Sequence, residues 1–169
     1  YQEANGTIDF YIDFLKENNE LAKMPLAYTQ RAELYVNSYP SISFIKLDAQ
    51  FLFKNVDEYL KLVKKSDNSQ LSYEQALYLK MRFCIIKKEY KQAFDMLNQD
   101  VLKKHINTDA IYDLYKALLL LFTQSKGSFP EIYKKAVQQK YKATLPFQFN
   151  QLNWLINFTQ KIINGAIKP

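Results

Sequence analysis

The chain has 169 residues and a mass of 20.0 kDa, a length that fits one domain with a substantial core. Only three glycines and five prolines are present, and this low content of turn-forming residues disfavours an all-β fold, whose many turns need them. The longest purely apolar run, Ala117–Phe122, is far shorter than the roughly 20 residues of a transmembrane helix.

The formal net charge of +6 is divided unevenly along the chain. Residues 1–60 hold five basic and nine acidic residues, a net charge of −4, whereas residues 61–169 hold eighteen and eight, a net charge of +10. No acidic residue follows Glu131. An acidic front and a basic rear indicate a surface that steers a charged partner, although an ordinary solvated, lysine-rich face gives the same pattern.

The first residue, Tyr1, is not a methionine, and no signal-peptide pattern follows it. We therefore expect a fragment of a longer protein or a processed chain. Cys84 is the only cysteine, so no internal disulfide is possible, and its apolar neighbours predict a buried structural thiol rather than a reactive one. An intracellular, reducing compartment is slightly favoured.

Apolar periodicity predicts four helices before the first polar connection. Thr7 is the expected cap of the first helix, and Pro25 fits the first turn of the second because its missing N–H costs nothing there. A short turn is expected at Lys54–Asn55, and residues 64–70 form a polar connection without periodicity. The four helices are expected over about residues 7–22, 25–39, 41–52 and 56–63.

Five more helices are expected in the rest of the chain. Ser72 with Gln75, and Ser128 with Glu131, match the capping-box pattern that begins a helix. A tight turn is expected at Lys87–Glu89. The five helices are expected over about residues 73–87, 89–104, 110–124, 129–142 and 145–169.

The last of these helices has no obvious partner helix in the sequence. Its apolar residues are expected to cover the open end of a helical stack, as a terminal cap does. A weaker alternative is self-association of the chain through Trp154, Leu155 and Phe158.

Three segments share one plan, in which a helix end, a lysine-bearing turn and the start of the next helix follow one another. They are Phe51–Leu60, Ile85–Phe94 and Gln124–Tyr133, spaced by 34 and 39 residues. A period in this range is typical of helix-pair solenoids, because one helix pair cannot bury its apolar faces alone whereas stacked pairs can. We therefore predict an all-α fold of about nine helices, a right-handed stack of antiparallel helix pairs forming a single domain over residues 1–169.

One repeat resembles the tetratricopeptide repeat. In that family a turn is followed by Tyr, two variable residues, Ala and then bulky residues, and Tyr90, Ala93, Phe94 and Leu97 fit this order. The resemblance implies a tetratricopeptide-like α-solenoid with degenerate repeats. The positions that depart from the family pattern are Met81 and His105 in this repeat and Tyr59 and Ile132 in its neighbours.

The resemblance also implies that the first helix of each pair lines a concave binding face. On the matched repeat this places Gln75, Tyr78, Arg82 and Ile85 towards the groove. Tyr78 and Arg82 lie one turn apart, and an aromatic ring beside a cation is favoured at binding hot spots, although ordinary packing explains the pair more simply. The implied function is a non-catalytic scaffold or adaptor that binds a peptide or helix of a partner in a multiprotein complex.

An alternative function is RNA binding by the basic second half. Aromatic residues make up 15% of the chain, and RNA is often held by aromatic stacking together with contacts from cations to phosphates. The candidate basic patch consists of Lys134, Lys135, Lys140 and Lys142, around Tyr141. Helix-core packing is the simpler explanation for most of the aromatic residues.

The sequence predicts no catalytic residue, no metal site and no cofactor. His105 is the only histidine, and spacing assigns it neither an orienting carboxylate nor a second metal ligand. The chain also lacks phosphate-binding loops and the HExxH, CxxC and GxSxG patterns. An enzyme is therefore not expected.

Overall fold

The structure, a computed structural model of the chain, describes residues 2–38, 49–63, 72–106 and 109–169. Within these ranges it contains nine α-helices, the 3-10 helix Leu21–Lys23 and no strand, which confirms the predicted all-α class and helix count. No helix in these ranges is long and apolar enough to cross a membrane. The α-helices are α1 Gln2–Glu17, α2 Met24–Ser38, α3 Ala49–Val63, α4 Tyr73–Ile86, α5 Tyr90–Leu97, α6 Asp100–His105, α7 Asp109–Gln124, α8 Phe129–Lys140 and α9 Pro146–Ile163.

The chain divides into two compact units, Tyr1–Phe83 and Cys84–Pro169. We call them the first unit and the second unit. The boundary between them falls inside α4, so most of this helix belongs to the first unit. The single domain expected from the sequence stays a prediction.

In the first unit, α2 packs against both α1 and α3. The apolar stripe predicted for the first helix faces α2, and it is called the inner stripe below. Its residues are Ile8, Tyr11, Ile12 and Leu15, packed in one cluster with Ala27. The guanidinium of Arg31 on α2 also pairs with the carboxylate of Asp9 on α1 at 2.5 Å, so α1 is fixed to α2 by apolar burial and by an ion pair.

The first helix differs from its prediction at both ends. Thr7 lies inside α1 and is not its N-cap. At the other end, the Asn18 side chain donates a hydrogen bond to the carbonyl of Phe14 at 2.8 Å, and Asn19 has a left-handed conformation with φ of 55°. Asparagine adopts this conformation more readily than most residues, so the two asparagines end the helix before the predicted boundary.

The predicted turn at Lys54–Asn55 is wrong, because both residues lie inside α3. The buried Asn55 side chain donates to the carbonyl of Phe51 at 2.8 Å, which satisfies its amide within the helix. One uninterrupted helical stripe of buried residues runs through this region, made by Leu52, Val56, Tyr59 and Leu60. The repeat segment Phe51–Leu60 therefore contains no turn, and the start of the predicted third helix and the connection at residues 64–70 lie outside the described residues.

In the second unit, α7 packs against α5, α8 and α9, and α8 also packs against α9. Aromatic rings make some of these contacts. Tyr90 of α5 stacks on Phe122 of α7 with ring centres 4.0 Å apart, and Trp154 of α9 lies 5.9 Å from Tyr115 of α7. Four residues join α7 to α8 and five join α8 to α9, and such short connections make packed neighbours run antiparallel.

The helix expected over residues 89–104 is divided into α5 and α6. Between them, Gln99 has an extended conformation with ψ of 137°. The Asn98 side chain donates to the carbonyl of Phe94 at 2.9 Å and accepts from the hydroxyl of Tyr112 at 2.9 Å. These two bonds fix the end of α5 against α7, which explains why the helix does not continue.

The predicted starts of α4 and α8 and the predicted tight turn at Lys87–Glu89 are confirmed. The N–H of Ser72 donates to the side-chain oxygen of Gln75 at 3.0 Å, and the N–H of Gln75 donates to the Ser72 hydroxyl at 3.2 Å. At α8, the Ser128 hydroxyl accepts from the N–H of Glu131 at 3.4 Å. Lys88 occupies the turn between α4 and α5 with φ of 64°.

Candidate functional site

The four residues predicted to line a binding groove are placed mainly inside the protein. Tyr78 and Arg82 are each only 5% exposed, and Ile85 is also buried. Gln75 is exposed, but its side-chain oxygen already accepts the N–H of Ser72 at the start of α4. A partner therefore has little access to three of the four residues, and their binding role stays a prediction.

The predicted pairing of Tyr78 with Arg82 does occur. The guanidinium carbon of Arg82 lies 4.5 Å from the centre of the Tyr78 ring, within the range of a cation–π contact. One guanidinium nitrogen also donates to the side-chain oxygen of Asn37, on α2, at 2.7 Å. Because both contacts are internal, this cation joins α4 to α2 within the first unit.

A cleft of about 400 Å³ lies between α7 and α8 in the second unit. Its apolar lining comes mainly from one face of α7, at positions three or four residues apart. The apolar residues are Ala110, Leu114, Ala117 and Ile132. Two of these are alanines, and their small side chains leave space between the two helices where larger ones would close it.

Charged side chains surround this apolar lining. Asp113 and Glu131 supply carboxylates, and Lys126 and Lys135 supply ammonium groups. All four residues are exposed, and none forms an ion pair within the part of the chain that the structure describes. The cleft therefore offers apolar surface together with accessible charges of both signs.

Sequence patterns give little indication of this cleft. Ala110 and Ala117 resemble ordinary core positions, and the only signal is their seven-residue separation, which places two small side chains in line on one helix face. Gly127 has a φ of 95°, a conformation that glycine adopts without steric cost. It allows the short turn that returns α8 against α7.

The predicted basic patch lies on α8 and just beyond it. Lys134, Lys135 and Lys142 are exposed, and Lys140 is half-buried. The ring of Tyr141 is 87% exposed and is flanked in sequence by two of these lysines. Lys135 also belongs to the cleft, so one residue of the patch contributes to both surfaces.

The residues proposed for self-association lie in the interior of the second unit. Trp154, Leu155 and Phe158 are all buried, because α9 packs against α8 and α7. The sequence indicates no partner for this helix, and the structure supplies two, α7 and α8. These three side chains therefore offer little exposed surface to a second chain, and self-association through them stays a prediction.

Of the described lysines, Lys23 and Lys161 have shifted pKa values, and both shifts have local causes. The hydrogen bond and ion pair with Glu20 raise the pKa of the Lys23 ammonium, whereas burial lowers the pKa of the Lys161 ammonium. Cys84 is buried, as predicted. Among the described residues, no group of three or more His, Cys, Asp or Glu side chains is placed to hold a metal ion.

Comparison with known proteins adds no information about the function of these surfaces. Comparisons with protein-family models, with curated proteins and with solved structures find no match to the chain.

Proposed function

We propose that the chain is a non-catalytic protein-interaction domain whose α7–α8 cleft receives a short peptide segment of a partner protein. The observation that carries the proposal is a cleft of about 400 Å³ that combines an apolar lining with four charged side chains. None of the four forms an ion pair with another residue in the described part of the chain. Binding sites are commonly concave, with mostly apolar walls and a few polar groups that fix the orientation of the ligand. This cleft has that composition.

The dimensions of the cleft favour a short extended peptide. The seven-residue separation of Ala110 and Ala117 corresponds to about 10 Å along a helix, which about three residues of extended chain would cover. An apolar side chain would fill the space above the alanines. A basic and an acidic residue on either side of it would pair with Asp113 or Glu131 and with Lys126 or Lys135.

The helix contacts also support a tetratricopeptide-like stack, which we include in the proposal. In such a stack, each helix packs against its hairpin partner and against helices of the next pair. The contacts of α7 with α5, α8 and α9, and of α8 with α9, follow this order. The α7–α8 cleft would then be the seam of one helix pair, where a bound segment adds to the stack.

Filling the cleft is expected to abolish peptide binding. A displayed library of random peptides, about 12 residues long to exceed the cleft several-fold, would be selected on the wild-type chain. Selected peptides should bind Ala117→Phe at least about tenfold more weakly, a loss of roughly 1.4 kcal/mol, measured by fluorescence anisotropy. Lys135→Glu should weaken the peptides that carry an acidic residue.

The matched control for this experiment is Gln124→Phe, which adds the same ring to an exposed position of α7 outside the cleft. This variant should bind like the wild type, and circular dichroism should show both variants folded. Selected peptides that bind Ala117→Phe as tightly as the wild type would contradict the proposal. Failure of the library to yield any binder would also contradict it.

RNA binding is the second candidate, and the exposure of Tyr141 favours it. A ring that is 87% exposed between Lys140 and Lys142 is available for base stacking while the lysines contact phosphates. With single-stranded oligouridine as the probe, the binding constant should then fall log-linearly with salt concentration. Tyr141→Ala should weaken binding about tenfold, and removing both lysine charges should reduce the salt slope by about 1.4.

The control for the RNA experiment is Lys168→Gln, which removes an exposed lysine outside the patch. It should leave both the affinity and the salt slope close to those of the wild type. Equal effects of all the lysine substitutions would indicate attraction to the net positive charge alone. That outcome, or an unchanged affinity in Tyr141→Ala, would remove the RNA candidate.

A further inference from the structure

The outer face of α1 carries a second stripe that faces away from the rest of the first unit. Phe10 is 75% exposed and Phe14 is 45% exposed. Asp13 and Glu17 are exposed beside them. The four residues have the i, i+3, i+4, i+7 spacing that places side chains together on one helix face, and we call them the outer stripe.

The outer stripe is unusual because α1 already has a buried apolar face. The inner stripe has the same spacing two residues earlier and packs against α2. A surface helix with one face in the core normally carries polar residues on the opposite face. Single exposed apolar residues need no explanation. Phe10 and Phe14 are both exposed and lie one turn apart on the same helix face, and neighbouring exposed apolar groups are a feature of interaction sites.

We infer that the outer stripe is a docking surface for a basic amphipathic helix of a partner protein. Partner helices commonly bind through apolar anchors at i, i+3 or i+4 spacing, which matches the separation of Phe10 and Phe14. Glu17 forms no ion pair within the described ranges. Asp13 pairs with Lys16 at 3.2 Å on the surface, and such pairs contribute little.

The acidic residues of the outer stripe favour a basic partner helix over a second copy of this chain or an anionic membrane. Two copies of this chain meeting through the same surface would bring their acidic residues Asp13 and Glu17 together, since a two-fold interface pairs a patch with itself. An anionic membrane would be repelled by the same carboxylates. A partner helix with lysine or arginine beside two apolar anchors would cover the two phenylalanine rings and also pair with the carboxylates of Asp13 and Glu17.

The outer stripe is presented on a fixed helix, which favours binding without rearrangement. Burial of the inner stripe and the ion pair between Asp9 and Arg31 hold α1 on α2. Ordering a loop or a mobile helix would reduce the affinity, and a helix that is already held in place avoids this cost. All residues of the outer stripe belong to the first unit, whereas all residues that line the α7–α8 cleft belong to the second unit.

The test is a displayed library of amphipathic helical peptides in which every position flanking the two apolar anchors encodes either Lys or Glu. Selection on the wild-type chain should enrich Lys at these positions. The double variant Phe10→Ser with Phe14→Ser should bind the enriched peptides at least about tenfold more weakly. The double variant Asp13→Lys with Glu17→Lys should select Glu instead.

Phe149→Ser is the matched control, because it removes an exposed phenylalanine from the second unit and should leave binding unchanged. Thermal melts should show every variant folded, since the altered side chains are exposed. Enrichment of Glu by the wild type, equal binding by the serine variant, or no enrichment would overturn the inference. Sedimentation of the wild type should show a monomer, and a dimer lost in the serine variant would assign the surface to a second copy instead.

Discussion

Replacing Trp154 with alanine is expected to lower the free energy of unfolding by about 3–5 kcal/mol, the usual cost of removing a large buried aromatic side chain. The indole is stacked on Phe158 with ring centres 4.9 Å apart and an interplanar angle of 12°. It also lies 5.9 Å from Tyr115 at an angle of 18°. The first contact is within α9, and the second joins α9 to α7, so the substitution would leave a cavity between two helices of the second unit.

Urea denaturation followed by circular dichroism would measure this loss. Fluorescence is unsuitable because Trp154 is the only tryptophan. Ile163→Ala is the matched control, since Ile163 lies on the same helix but is exposed, and it should change stability by less than about 0.5 kcal/mol. A Trp154→Ala variant within about 1 kcal/mol of the wild type would contradict the packing described for α9.

Trp154 also shows why self-association through α9 could not be judged from the sequence. Periodicity places Trp154, Leu155 and Phe158 on one side of a helix, but it does not say what covers that side. In the structure α8 and α7 cover it. The local sequence pattern therefore predicted the helix, whereas packing against other helices of the second unit buries its apolar face.

Helix boundaries followed the sequence where the signal was local. The capping box at the start of α4 formed as predicted, since Ser72 and Gln75 satisfy each other directly. Several of the errors involved asparagines. Asn18 and Asn19 ended α1 early, whereas Asn55, of the same residue type, lies within α3 and bonds to its own helix. Asparagine can end a helix or lie within one, so the residues around it determine which of the two occurs.

The candidate surfaces were predictable to different degrees. The spacing of Phe10 and Phe14 is visible in the sequence, but their exposure depends on which face of α1 meets α2. The α7–α8 cleft depends on unfilled space between two helices, which Ala110 and Ala117 indicate only weakly. The basic patch was predicted directly, since lysines at the end of a helix are usually exposed and no acidic residue follows Glu131.

Arg82 was predicted to face a partner, and its burial leads instead to a large stability effect. Arg82→Glu is expected to cost about 3–5 kcal/mol, because it replaces a buried cation with an unpaired buried anion. Arg82→Gln should cost about 1–2 kcal/mol, since it loses the charged hydrogen bond to Asn37 and the contact with the Tyr78 ring but introduces no charge. Thermal or urea denaturation of the two variants would measure the difference.

The pH dependence of the difference in stability between Arg82→Glu and Arg82→Gln tests whether a buried negative charge causes that difference. Burial raises the pKa of a carboxyl group in the folded state above its unfolded value of about 4.3. A carboxyl group whose pKa is raised by folding lowers the stability of the protein at pH values above its unfolded pKa, where the unfolded chain carries the charge. Below the unfolded pKa the group is protonated in both states, and this loss of stability is absent. The gap between Arg82→Glu and Arg82→Gln should therefore narrow as the pH falls from about 7.5 towards about 4.5. A constant difference in stability between the two variants would mean that residue 82 is solvated, as a groove-lining side chain would be, and would favour the predicted role of Arg82 as a contact residue.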